Sequence, residues 1–253
     1  VDVIASTSEH TITFESESGN PDDVIIYSQI PVNSAFGTIT IENSNYIRIR
    51  NVTVIRELSG AAFTSSGLSL RGKLRDILLE GNKFQNPGTT NFRSNLEFWA
   101  FGQMQSDITL RNNTFEQATY GIYNASTMTM TENVSIENNR FMDHQSAIRS
   151  LHGRTSLTIR GNTISSANMD LYCIGASAGE LRIEGNDIRI SGSTPVGITV
   201  FEWQLSNATI INNLISIKSS GYSMGIFCYA IARAEILHNT VRLEKTTPGS
   251  ALS

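Results

Sequence analysis

The chain has 253 residues, of which 40% are hydrophobic, 8% aromatic and 17% charged, with 19 basic against 23 acidic side chains and a formal net charge of −4. That hydrophobic content excludes a disordered chain, and the lack of a basic surplus speaks against a nucleic-acid groove. No apolar run approaches the ~18 residues of a membrane-spanning helix, which speaks against direct membrane insertion.

The chain opens at Val1 without a basic-apolar leader and reads as a segment of a longer protein. Residues 1–37, with Ile12, Phe14 and the Val24–Tyr27 run, predict a less regular first coil. Gly19-Asn20-Pro21-Asp22-Asp23 within it is turn chemistry.

From residue 38 a repeat organises the chain, and repeats decide the fold before any local propensity does. Seven segments end LLEGNKF at Phe84, TLRNNTF at Phe115, SIENNRF at Phe141, TIRGNTI at Ile164, RIEGNDI at Ile188, TIINNLI at Ile215 and EILHNTV at Val241. A degenerate copy, RIRNVTV, ends at Val54. The shared Asn stands at 82, 113, 139, 162, 186, 213 and 239, so successive spacings are 31, 26, 23, 24, 27 and 26 residues.

Each constrained position has a physical reason. Apolar residues alternate with polar ones before the Asn, as in Ile108/Leu110 and Val134/Ile136, which is the period of a strand. Gly81, Asn112, Asn138, Gly161, Gly185, Asn212 and His238 come next, residue types that tolerate positive φ, so a sharp corner is expected there. The amides of Asn82, Asn113, Asn139, Asn162, Asn186, Asn213 and Asn239 are then placed to stack and hydrogen-bond as a structural ladder. A further strand follows in each repeat, for example Leu96-Glu97-Phe98 and Gly121-Ile122-Tyr123. The fold class predicted is all-β: a right-handed, single-stranded parallel β-helix of about eight to ten coils. It forms one domain, with regular coils over 38–243 and a short polar tail over 244–253.

These repeats resemble the right-handed parallel β-helix family, also called pectate-lyase-like, over about residues 38–243. The opening TITFESESGNPDDVII is similar to repeat regions of very large secreted bacterial surface proteins. The resemblance implies an extracellular or cell-surface location. It leaves function open, because the fold carries lyases, glycosidases, adhesins and passive stalks alike.

The outward column beside the corner reads Glu80, Arg111, Glu137, Arg160 and Glu184, a charge ladder rather than an acid/base pair. Cys173 and Cys228, read as two coils apart in one column, are expected to be buried free thiols, because two coils exceed the reach of a disulfide. The later strand places Glu97, Tyr123, Arg149, Tyr172, Thr199 and Phe227 outward. Trp99, Ala125, Leu151, Ile174, Phe201 and Tyr229 follow two residues on, with Trp203 nearby. An outward aromatic face of this kind is covered by loops, forms an interface with neighbouring domains or subunits of one assembly, or stacks on the sugar rings of surface glycans. Asp143, His144, Arg149, His152 and Asp170 are the nearest approach to an acid/base cluster, yet no two acids share a column on consecutive coils. No catalytic residue, cofactor or metal site is assigned, since the four His lack zinc-ligand spacing. A structural or adhesive module is expected, with a carbohydrate-active enzyme or a non-catalytic glycan-binding module as the alternatives.

Overall fold

Apolar alternation before each corner builds the first strand of every turn. In the computed structural model these strands stack in parallel as Ile12–Glu15, Asn45–Arg50, Leu74–Glu80, Met104–Arg111 and Met130–Glu137, and continue to Asn207–Ile211 and Arg233–Leu237. The structure describes residues 7–30, 37–58, 65–87, 93–100, 102–125, 130–169, 172–201 and 207–246. Inward residues of these strands, such as Ile77, Leu79, Ile108, Leu110, Ile136 and Ile159, are buried.

The chain then turns through one left-handed residue. Gly81, Asn112, Asn138, Gly161, Gly185, Asn212 and His238 all have φ between 53° and 66°, and Asn51 of the degenerate copy has 51°. A side chain at Gly161 would put its Cβ 2.3 Å from Asn138 Oδ1, so glycine there also lets the neighbouring turn close in.

Beyond the corner a second sheet of nine parallel strands runs from Ile25–Ile30 and Thr53–Leu58 through Lys83–Gln85 and Thr114–Glu116 to Thr240–Lys245. Phe84, Phe115 and Phe141 stack along its inner side with ring centroids 5.2 and 4.8 Å apart and planes within 14°. Ile164, Ile188 and Ile215 continue that buried column.

A third set of strands, including Ser65–Arg71, Arg93–Trp99, Tyr120–Asn124, Val196–Phe201 and Met224–Tyr229, closes each turn. Ser146–Arg160 and Tyr172–Glu184 run without a break from this third face onto the first.

The Asn ladder forms as expected. Each Oδ1 accepts from the backbone N–H and Nδ2 of the Asn one turn earlier, at 2.8–3.1 Å from Asn82 through to Asn239. Each Nδ2 also donates to a carbonyl of the preceding first-sheet strand, as Asn113 does to Leu79 O at 2.9 Å. The regular solenoid makes about seven turns, those that carry these amides, slightly fewer than the eight to ten anticipated. The strands ahead of them lack the amide, Val52 standing in its place with its N–H on Asn82 Oδ1 at 3.1 Å. Phe14 and Ile25 in that leading part are more than half exposed.

The charge ladder is present with one change of partner. Glu80 lies 3.3 Å from Arg50 and 2.6 Å from Arg111, and Arg160 reaches Glu137 at 2.8 Å, but Glu184 pairs with Arg182 of its own strand. Burial tends to raise the Glu137 carboxyl, yet hydrogen bonds from Arg160 and Ser135 bring it below the usual range, so it is held ionised. Both thiols are free, but Cys173 is buried whereas Cys228 is half-buried. Their columns also differ: Cys228 stands over Val200 and Ala176 rather than over Cys173.

Candidate binding face on the third sheet

Strand alternation on the third sheet sends Phe98 and Asn124 into the bore, which turns their preceding residues to the other side. Ser69, Glu97, Tyr123 and Arg149 therefore stand in one column on successive turns. The site grows around this column.

Glu97 is buried although it points away from the bore. Burial pushes its carboxyl up to about 7, against the opposing pull of a hydrogen bond with Ser66 and the charge of Arg71. The Arg71 guanidinium in turn lies 4.4 Å over the Trp99 ring, a cation–π contact that orients both.

Two turns further on, Arg149 lies between aromatic rings, 5.0 Å from the centre of Tyr120 and 5.6 Å from that of Tyr172. Tyr120 stacks on Tyr123 at 5.0 Å. Burial raises both phenols above their ordinary value, and the positive charge of Arg149 only partly offsets this. Arg149 Nη1 is shielded from solvent and makes no hydrogen bond among the described residues. The group thus offers ring faces, phenol hydroxyls and one unsatisfied guanidinium nitrogen.

The sequence-predicted residues do not all fall in one column. Ser150 has φ 56°, and the pairing shifts between Ile148 and Leu151. This extra residue puts Gly175, not Tyr172, in register with Thr199 and Phe227. Tyr172 belongs two turns from Tyr120, and its ring folds over Gly175, where a Cβ would meet it at 2.2 Å. Its hydroxyl is 3.2 Å from Ser150 Oγ.

Burial corrects other expectations. Leu151 and Ile174 belong to the core, and Thr199 is buried. Phe201 is half-buried against His152 at 5.4 Å and Tyr172 at 6.2 Å. Phe227 and Tyr229 are exposed and stack at 6.5 Å. Trp203 and Asp170 lie outside the described residues.

The suspected acid/base cluster does not assemble. His144 Nε2 is 2.8 Å from Asn95 Oδ1, and burial depresses its imidazole to about 3. His152 Nδ1 is 2.8 Å from Ser177 Oγ, and burial depresses that ring to about 4. Both are buried neutral side chains with structural partners. Among the described residues no group of three or more His, Cys, Asp or Glu side chains converges as a metal site. Tyr120 and Arg71 were missed as site residues. Tyr120 precedes the inward Gly121, and an aromatic three residues from a second aromatic was the available signal.

The profile of the family described as a right handed beta helix region matches residues 4–215 and 105–247. No curated protein and no solved structure matches the chain.

Proposed function

The chain belongs to the right-handed β-helix family, and from that premise we propose that it is a non-catalytic adhesive module of a secreted or cell-surface bacterial protein that attaches to surface glycans through its third sheet. The observation that carries this reading is Arg149 between Tyr120 and Tyr172 with Nη1 unbonded. Ring faces stack on the C–H faces of sugars, and a guanidinium supplies directed donors to hydroxyl or carboxylate oxygens. Neighbouring domains or subunits of the same assembly would hold the solenoid in place.

Glycan-array binding tests the reading. Arg149→Gln and Tyr123→Ala are expected to lower binding at least about tenfold, the effect of losing roughly 1.4 kcal/mol, with an unchanged melting transition. Absence of binding to any glycan, or binding indifferent to both substitutions, removes it.

Glu97 favours a second reading, a carbohydrate-active enzyme, because a carboxyl near pH 7 can both give and take a proton. Hydrolysis needs a second acid close by, and Glu42 on the same sheet is exposed and separated from the Trp99 rung by Arg71. Release of reducing or unsaturated ends from neutral or uronic-acid polysaccharides, with or without Ca²⁺ and lost in Glu97→Gln, would replace adhesion by catalysis.

A further inference from the structure

The inside of the solenoid holds a charge that the chain does not neutralise. In Thr53–Leu58, Val54 points into the bore and is fully buried, and Ile55 points the other way. Arg56 points inward again and is 0% exposed. Its register partner is Ser28.

The hydrogen bonds around it run in one direction. Thr38 Oγ1 donates to Ile55 O at 3.2 Å, so the 2.6 Å contact between Ser28 and Thr38 is a donation by Ser28. Ser28 Oγ is left as an acceptor, and Arg56 Nη1 donates to it at 3.1 Å. Arg56 Nε and Nη2 are buried and make no hydrogen bond. These two nitrogens form the edge of the guanidinium that grips two oxygens of one oxyanion.

No carboxylate answers Arg56 among the described residues. Its neighbour Glu57 is exposed and accepts from Tyr27 Oη at 2.6 Å. The segments 31–36, 59–64 and 88–92, which interrupt the described chain nearest this point in sequence, contain neither Asp nor Glu. A buried guanidinium without a counter-charge is strongly destabilising.

One turn on, the register Val54–Phe84 and Ile55–Gln85 leads to Asn86. It too is 0% exposed. Its Nδ2 donates to Ser65 O, Ser65 Oγ and Ser94 O at 3.0–3.3 Å, but its Oδ1 accepts nothing. The bore here presents two free donors on a cation and, on the next rung, one free acceptor.

We propose that Arg56 binds a small hydrogen-bearing oxyanion, of the hydrogen phosphate or bicarbonate kind, inside the solenoid. Nε–H and Nη2–H hold two of its oxygens, and its hydroxyl serves Asn86 Oδ1. The site lies on the inner side of the second sheet and does not depend on glycan attachment at the third.

Melting of the full chain at constant ionic strength tests this, with inorganic phosphate, bicarbonate or sulfate replacing chloride. Phosphate and bicarbonate are expected to raise the melting temperature by several degrees, saturably, and Arg56→Met to abolish the rise. An equal rise with sulfate, which has no proton to give, keeps the Arg56 site and removes the role of Asn86. No rise with any oxyanion, or a rise that survives Arg56→Met, overturns the proposal. Should Arg56→Met not fold, crystals of the native chain grown with arsenate decide. An anomalous peak at the Arg56 edge supports the site, and water alone there overturns it.

Discussion

Asn113 Oδ1 accepts two hydrogen bonds from the residue one turn earlier, from the backbone N–H and from Nδ2 of Asn82, both at 3.0 Å. The same oxygen cannot be replaced by an apolar group without leaving two buried donors unpaired. An amide ladder of this kind resists interruption more than it resists shortening.

Asn139→Ala interrupts it in the middle. The Asn113 N–H and Nδ2 lose their acceptor, and the Leu110 carbonyl loses its donor. The expected loss is about 2–5 kcal/mol in urea unfolding. Asn239→Ala, at the half-buried last rung, should cost about 1 kcal/mol. Equal losses at the two positions would show that the amides act independently.

Phe115 sits between Phe84 and Phe141 with no exposure. Phe115→Ala opens a cavity and removes two ring stacks, so unfolding free energy should fall by about 3–5 kcal/mol. A loss under about 1 kcal/mol would mean that the column collapses to refill the space.

The pH response has two opposed parts. Glu97 holds its proton to about pH 7 in the folded chain and releases it near 4.5 when unfolded. Over that window the native state carries more protons, so stability falls as pH rises, by at most about 3 kcal/mol. His144 and His152 titrate near 3 and 4 when folded against 6.5 when unfolded. The unfolded chain therefore binds more protons below about 6.5, and their contribution falls as pH drops. The carboxyl is isolated by Glu97→Gln, whose stability relative to the native protein should improve between pH 5 and pH 8. A difference that stays flat across this range refutes the buried neutral carboxyl.

Burial raises both thiols above their ordinary value. Cys173 is wholly enclosed and Cys228 only half-buried. Iodoacetamide followed by mass spectrometry should find Cys228 modified first and Cys173 only on unfolding. Early labelling of Cys173 would indicate local opening of the third sheet.

Most of the fold was legible because its instructions are local and repeated. A residue that tolerates positive φ followed by Asn marks one corner per turn, and the structure places all seven such residues there. The binding face was less legible. Ser150 adopts φ 56° without belonging to the types that usually do so, and that single residue moved Tyr172 out of the column of Arg149. The buried state of Glu97 depends on Ser66 and Arg71, more than 20 residues away in sequence, and strand alternation alone marks the position as outward. Arg56 was hidden for a similar reason, since a charged residue after Val54 reads as an edge rather than as a bore-lining side chain.

The spacings between ladder residues vary from 23 to 31, while the corner and its amide keep one geometry. Whole rungs can accordingly be duplicated or deleted by recombination with little disturbance to those left behind. The loops between them are free to diverge at their own pace. Length is then a heritable quantity that evolution can adjust in single steps, and surface chemistry a separate one.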